Sequence, residues 1–303
     1  MIQEFLIQSV RQLHDELAEH VLSCYSKDLE NLDAFKEILL EKFKSLELAY
    51  LYKKEGRLIG FFFAEKSTPF YGNIQFFSIS PDWDCFLTEK AIEKNIFKES
   101  IIELIPLQDL TLIKAHLLKM GLKENKRQRM ALILEENPFS HEDSPLQDNA
   151  HRLPLQKEES PFSSEISVEA HKISLDYVGY QELESLEKRI VLEKKVFDGL
   201  YGPMIWQATL GIYKDNQLKG YGFCIDVPAW GYDHVAWLFD MSVHPLCQGQ
   251  GYGKSLLYGI IKAISLLGYP LIGLAVTKSN TVAISLYESS GFEWVDDFSE
   301  FIQ

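Results

Sequence analysis

Gln248-Gly249-Gln250-Gly251-Tyr252-Gly253-Lys254-Ser255 follows a long apolar run, His234–Val243, and leads into a helical stretch, Gly253–Leu267. Glycine lets a backbone turn tightly and come close to a ligand. The unpaired amides at a helix start, with the positive end of the helix dipole, favour an anion there. Taken alone, this stretch says only that an anion, in the first place a phosphate, is bound after the strand. A P-loop requires Gly five residues before Gly253, where the chain has Gln248, although Gly253-Lys254-Ser255 fits the end of that motif. A dinucleotide fingerprint requires Gly-x-Gly-x-x-Gly, whereas the spacing here is Gly249-x-Gly251-x-Gly253 and no acidic ribose-binding residue follows at the right distance.

A third pattern, Gln/Arg-x-x-Gly-x-Gly/Ala, fits at every position through Gln248, Gly251 and Gly253. Val243 stands five residues before Gln248. Downstream, Asn280 and Ala283 begin a helix after a strand, and Tyr287-Glu288-Ser289-Ser290-Gly291-Phe292 has the form Tyr-x-x-x-Gly-Phe. In these features residues 166–303 resemble the GNAT superfamily of N-acetyltransferases, with the specific motifs confined to Met241–Phe292.

The resemblance implies acetyl-CoA as co-substrate and direct attack of a primary amine, on a small molecule or a peptide, in a ternary complex. Amides of Gln248, Gly249, Gln250, Gly251, Tyr252, Gly253, Lys254 and Ser255 would hold the pyrophosphate. Backbone groups of Met241, Ser242 and Val243 would pair with the pantetheine arm like an added strand, and an amide there would steady the oxyanion. Asn280 would bond the cofactor arm, or would simply cap its helix, a place Asn favours in any case. Tyr287 is the candidate general acid: a phenol of ordinary pKa near 10 stays protonated at neutral pH. Its alternative role is packing the helix on the sheet. Asp240, an acidic residue inside an apolar strand, is the candidate base, because partial burial would raise its pKa. A carboxylate that only accepts hydrogen bonds, a base acting through water, and no base beyond solvent all stay open. Phe197, Tyr201 and Trp206, within Glu193–Trp206, would line an acceptor pocket or pack the core. A non-catalytic acyl-CoA-binding or regulatory protein is the alternative from another class.

The chain has 303 residues, 46% of them hydrophobic and 24% charged, a composition suited to a globular protein of two domains. Residues 137–165, with Pro138, Pro145, Pro154 and Pro161 among polar residues, read as a linker between domains at 1–136 and 166–303. The net charge of −14 argues against a nucleic-acid partner, since phosphate affinity needs clustered Lys and Arg, and makes a cationic acceptor electrostatically easier. Cys24, Cys85, Cys224 and Cys247 are widely spaced, which argues against a disulfide framework or zinc site and fits a reducing cytoplasm. The longest apolar region, Ile260–Val276, is interrupted by Lys262, Gly268, Pro270 and Gly273, so no membrane partner is expected.

The first half follows the same order of elements as the second. Helical spacing over Leu13–Cys24 and Phe35–Phe43 precedes strand-like runs Leu48–Lys53 and Leu58–Glu65 about the turn Lys54-Glu55-Gly56. A strand Asn73–Ser80, helical segments Glu89–Phe97 and Leu110–Met120, and a strand Arg129–Leu134 come next. After Ser80 the chain reads Pro81-Asp82-Trp83-Asp84-Cys85-Phe86, without glycine and with two carboxylates that would repel a pyrophosphate. The expected fold is therefore α/β: two tandem GNAT-like acyl-CoA N-acyltransferase domains, each a mixed, mostly antiparallel sheet flanked by helices. The first would be degenerate and without a pyrophosphate loop. Only twelve residues follow Gly291, little room for two final strands, so either one strand is short or another segment fills its place.

Overall fold

The computed structural model describes residues 3–9, 15–17, 19–20, 48–65, 72–78, 100–104, 111–134, 146, 150–172, 183 and 185–302. The expected helices Phe35–Phe43 and Glu89–Phe97 and the stretch Pro81–Phe86 lie outside the described residues. The chain forms two compact units, residues 1–125 with 298–303, and residues 126–297.

In the first unit β1 (Gln3–Ser9), β2 (Leu48–Lys54), β3 (Arg57–Glu65) and β4 (Gly72–Ser78) pair antiparallel in that order, and β5 (Ser100–Leu104) joins β4 in parallel. Helix α1 (Thr111–Lys119) follows. The far edge of β5 is paired antiparallel by Ser299–Phe301, near the chain's last residues.

The second unit has the same plan. Its sheet includes β6 (Lys123–Ile133), whose residues from Arg127 onward pair within this unit, then β7 (His151–Pro154), β8 (Leu210–Lys214), β9 (Gln217–Ala229), β10 (Tyr232–Val243) and β11 (Leu271–Thr277), in the order β6-β11-β10-β9-β8-β7. β10 and β11 are parallel; the other pairs are antiparallel. Helices α2 (Ser160–Lys172) and α3 (Leu186–Phe197) cover one face through Leu192, Val196, Phe197, Tyr221 and Phe223. Helices α4 (Tyr252–Leu266) and α5 (Thr281–Ser289) lie on the other, where Leu256, Ile260 and Ile264 pack on Ile212, Cys224, Ala236 and Leu238. Burying such side chains contributes roughly 1.5–3 kcal/mol each. The final strand, β12 (Glu293–Ile302), begins in the second unit and ends in the first.

Two expectations are corrected. Residues 137–165 are not a bare linker: β7 pairs with β8, and α2 starts at Ser160. The proline that suggested a loop, Pro154, closes an edge strand, where a missing amide donor is tolerated. The unit boundary accordingly falls at residues 125 and 126, before most of β6, rather than at 136. The short C-terminus is resolved in the same way. β6 lies antiparallel to β11, from Leu271↔Ile133 to Thr277↔Arg127, and supplies the strand for which the residues after Gly291 leave little room.

The repeat expected from element order is visible in register. The hairpin β2–β3 turns at Glu55-Gly56, both at positive φ, and slips between Tyr52↔Gly60 and Lys53↔Leu58. The hairpin β8–β9 turns at Asp215-Asn216, also both positive, and slips between Ile212↔Gly220 and Tyr213↔Leu218. Two-residue loops of this hand match the twist of the flanking strands.

Candidate active site

The second unit opens a fork at the C-terminal end of its parallel pair. β10 and β11 are in register only at Ala236↔Ile272 and Trp237↔Gly273. Beyond this point β10 keeps β9 on one side and β11 keeps β6 on the other, so the facing edges of Leu238–Val243 and Leu274–Thr277 have no strand between them. A bulge starts the divergence: Leu238 pairs with Cys224 and Asp240 with Phe223, leaving Phe239 as the extra residue. Bulges bend a strand and re-aim its side chains. Here consecutive Phe239 and Asp240 both turn to the α2–α3 face, where Phe239 packs near Tyr201 at 5.3 Å and Asp240 meets Arg189.

The glycine loop stands where the fork opens. Gly249 and Gly251 take φ of +74° and +82°, values that other residues rarely adopt, and an added Cβ at either would meet nothing within 4 Å. The first bond of α4 runs from Ser255 N–H to the Gly251 carbonyl at 3.0 Å. The amides of Gly251, Tyr252, Gly253 and Lys254 therefore have no intrahelical acceptor, as at any helix start. Gln248 Nε2 donates to the Val243 carbonyl at 3.1 Å and Gln250 Nε2 to the Leu246 carbonyl at 3.1 Å, so both glutamine side chains brace the loop. No acidic side chain occurs from Gln248 to Ser255, and Lys254 is exposed with its Nζ 5.2 Å from the Tyr258 ring centre. A pyrophosphate fits this cradle.

The structure limits three of the expected site residues. Ser255 is buried, its amide is taken by Gly251, and its Oγ and carbonyl accept from Arg152 at 3.2 and 2.7 Å, so the free amides stop at Lys254. Tyr252 offers only its amide, because its ring is in the core. Asn280 caps α5, its Oδ1 accepting from Ala283 N–H at 3.2 Å. Met241 and Val243 pack partly on the α4 side and Ser242 is buried, all on the strand edge that faces the fork.

Tyr287 is 8% exposed in the core beneath α4 and α5, its ring 5.7 Å from that of Phe292. Asp240 departs from the expected role. Its Oδ2 accepts from Arg189 and, at 2.5 Å, from the Tyr221 hydroxyl. Arg189 also reaches Tyr221 Oη at 3.3 Å and Glu193 Oε1 at 3.4 Å, and Glu193 Oε2 accepts from Ser163 at 2.6 Å and Ser160 at 3.0 Å. The guanidinium and the phenol both occupy that oxygen, and through them Asp240 ties α3 to the bulge. Burial raises the pKa of Glu193 against the pull of Arg189, and burial followed by the charge of Asp240 raises that of Tyr221. Burial likewise pushes the Cys224 thiol up, leaving it no nucleophile.

Of the proposed acceptor residues, Phe197 is core, Trp206 is 39% exposed, and Tyr201 lines a cavity. Arg189, Tyr221, Trp230, Trp237 and Phe239 were not singled out from the sequence. Arg189 and Glu193, one turn apart on a helix whose inner face is apolar, were the available signal for the buried cluster.

The Acetyltransferase (GNAT) family profile matches residues 179–292, which span α3, the forked strands, the loop and Tyr287. The chain is 42% identical over 60 residues to [ribosomal protein bS18]-alanine N-acetyltransferase of Haemophilus ducreyi, a match covering 20% of this chain and 41% of that protein. It is 31% identical over 84 residues to mycothiol acetyltransferase of Renibacterium salmoninarum, covering 27% and 25%. The matched stretch is thus well under half the length of either relative. In fold it is similar to a GCN5-related N-acetyltransferase from Sphaerobacter thermophilus, with TM-score 0.67 and 14% identity over 98% of this chain and 94% of the other. A tandem GNAT protein from the clavulanic acid biosynthesis pathway gives TM-score 0.62 and 13% identity over 99% and 98%. Residues 179–292 are thus similar to the GNAT family of acetyltransferases.

Proposed function

We propose that the second unit transfers an acetyl group from acetyl-CoA to a primary amine by direct attack. The observation that carries this reading is the fork between β10 and β11, running to a helix start with unpaired amides. Bound there, acetyl-CoA would supply the acetyl group as a thioester, activated for attack by an amine. The amides of Gly251 to Lys254 hold the pyrophosphate, and Gln248 and Gln250 keep them pointed outward by bracing the loop. Backbone groups of Met241–Val243 pair with the arm as a strand would, and an amide among them stabilises the oxyanion. Tyr287 delivers its phenolic proton to the departing thiolate. Asp240 acts as a positioning residue: with Arg189 and Tyr221 it fixes the bulge that opens the fork. The amine loses its proton to water or arrives neutral. The acceptors named for the relatives, a ribosomal-protein alanine and mycothiol, share only an amine with one another, so they do not define the acceptor here.

The test is thermal unfolding with acetyl-CoA, against ATP and NAD. Ligand at a hundred times its Kd stabilises a binding unit by about 2.7 kcal/mol. A shift with acetyl-CoA alone is expected; no shift, or a larger one with ATP, overturns the reading. Tyr287→Phe then separates an enzyme from a binding protein. It should cost about a hundredfold in kcat, the lower range for proton transfer by a side chain, with the thermal shift retained. An unchanged kcat removes Tyr287 from the mechanism.

A further inference from the structure

On the α2–α3 face of the second unit, beside the fork, lies a cavity of about 320 Å³. Its walls are Tyr201, Trp230, Trp237 and Phe239 with the apolar side of β9, and among the described residues Arg129 is the one charged residue that lines it. Trp237 and Phe239 flank the point where β10 leaves β11, so the cavity opens where an acetyl group carried along the fork would arrive.

Two features mark this wall as built rather than incidental. Trp230 occupies the two-residue turn between β9 and β10 with φ +51°, a conformation that a bulky residue seldom adopts, followed by Gly231 at +80°. Turn chemistry alone would put Asn or Gly there. Strain of this kind persists where the surroundings enforce it, and it clusters at ligand sites. Secondly, a Cβ on Gly273 would come within 2.8 Å of both Trp230 and Trp237. The absent side chain lets the two indoles, 5.5 Å apart, lie against β11.

We infer that this cavity is the acceptor site and takes a primary amine borne on an aromatic or bulky apolar body with no second positive charge. The inference rests on the acetyl-transfer reading. Four aromatic rings give an apolar body a large contact area at low entropic cost. Arg129 is held at 3.0 Å by Asp296, and among the described residues no carboxylate lines the cavity to receive a second ammonium. A lining that offers a second ammonium no acidic partner among the described residues selects against polyamines and basic peptides, although the chain as a whole carries −14.

The test is calorimetry on the full chain, alone and with CoA, using 2-phenylethylamine, 1,4-diaminobutane and the peptide Ala-Arg-Arg. The aromatic amine should bind at least tenfold more tightly than either of the others. Trp237→Ala should lose that margin while the thermal shift with acetyl-CoA remains; if this variant fails to fold, Tyr201→Leu takes its place. Arg129→Gln should narrow the margin by improving diamine binding. Equal or tighter binding of the diamine or the basic peptide overturns the inference, as does an unchanged margin in both wall variants. Loss of the acetyl-CoA shift in the unaltered chain instead overturns the acetyl-transfer reading, so the two failures are distinct.

Discussion

The two units share a strand plan and differ at the three places that chemistry would use. In the first, β3 and β4 keep one register from Gly60↔Ser78 to Glu65↔Asn73; in the second, β9 and β10 break register at Phe239. After β4 the sequence has no glycine through Phe86, whereas after β10 it has Gly249, Gly251 and Gly253. The third difference lies at the end of the last helix. Leu122 N–H bonds the Leu117 carbonyl at 3.2 Å, with Gly121 at φ +89°; Phe292 N–H bonds the Tyr287 carbonyl at 3.0 Å, with Gly291 at φ +92°. This is the same glycine-terminated helix end, and it sets Leu117, fully buried, where the second unit has Tyr287. Repeated packing therefore does not require the bulge, the glycines or the phenol, because the strand plan and the helix end are kept without them.

The sharpest way to break this comparison is to count sites. Calorimetry should find one acetyl-CoA per chain; two would mean that the first unit binds it without a glycine loop. Gly251→Asp should remove that site, with at least a hundredfold loss of affinity. It places a carboxylate beside the phosphate position and a side chain on a residue at φ +82°. Retained affinity would show that the ligand is held elsewhere.

The second test concerns the bulge. Arg189→Ala would leave the buried Glu193 and the partly buried Asp240 without their cation, a change that typically costs about 3–5 kcal/mol. Urea unfolding followed by tryptophan emission would report it, since Trp206, Trp230, Trp237 and Trp294 belong to the second unit and only Trp83 to the first. A loss below about 1 kcal/mol, the scale of an exposed ion pair, would mean that the cluster does not hold the bulge.

What could be read without coordinates divides along physical lines. α5 follows β11 as the sequence places a helix, begun by Asn280 and Ala283, after a strand, because each is a local run bounded by glycine, proline or an Asn cap. The turn of the loop was legible for the same reason: glycine spacing encodes directly the positive φ that Gly249 and Gly251 adopt. The ionic cluster was not, since Arg189, Tyr221 and Asp240 come from three elements and meet only after the bulge has turned Asp240 to the α3 face. Nor was the role of β6, whose pattern marks a strand but not which sheet takes it. The aromatic cavity depends on Gly273 leaving room for two indoles from elsewhere in the chain, a relation between residues rather than a motif.

The smallest effect concerns how one guanidinium is shared by two carboxylates. Asp240 has the closer contact with Arg189, while Glu193 stands at 3.4 Å and takes its short bonds from the neutral hydroxyls of Ser160 and Ser163. Desolvation accordingly prevails for Glu193, and its pKa lies above the ordinary 4.5. The folded chain then holds a proton that the unfolded chain releases, so stability falls as pH rises from about 4.5 to the raised value and is level beyond it. Glu193→Gln cannot titrate and should lose that descent. Plotted against pH, the stability of the variant minus that of the unaltered chain should climb through this window and then flatten. A difference that is constant across the window would mean that the pull of Arg189 fully offsets the burial of Glu193.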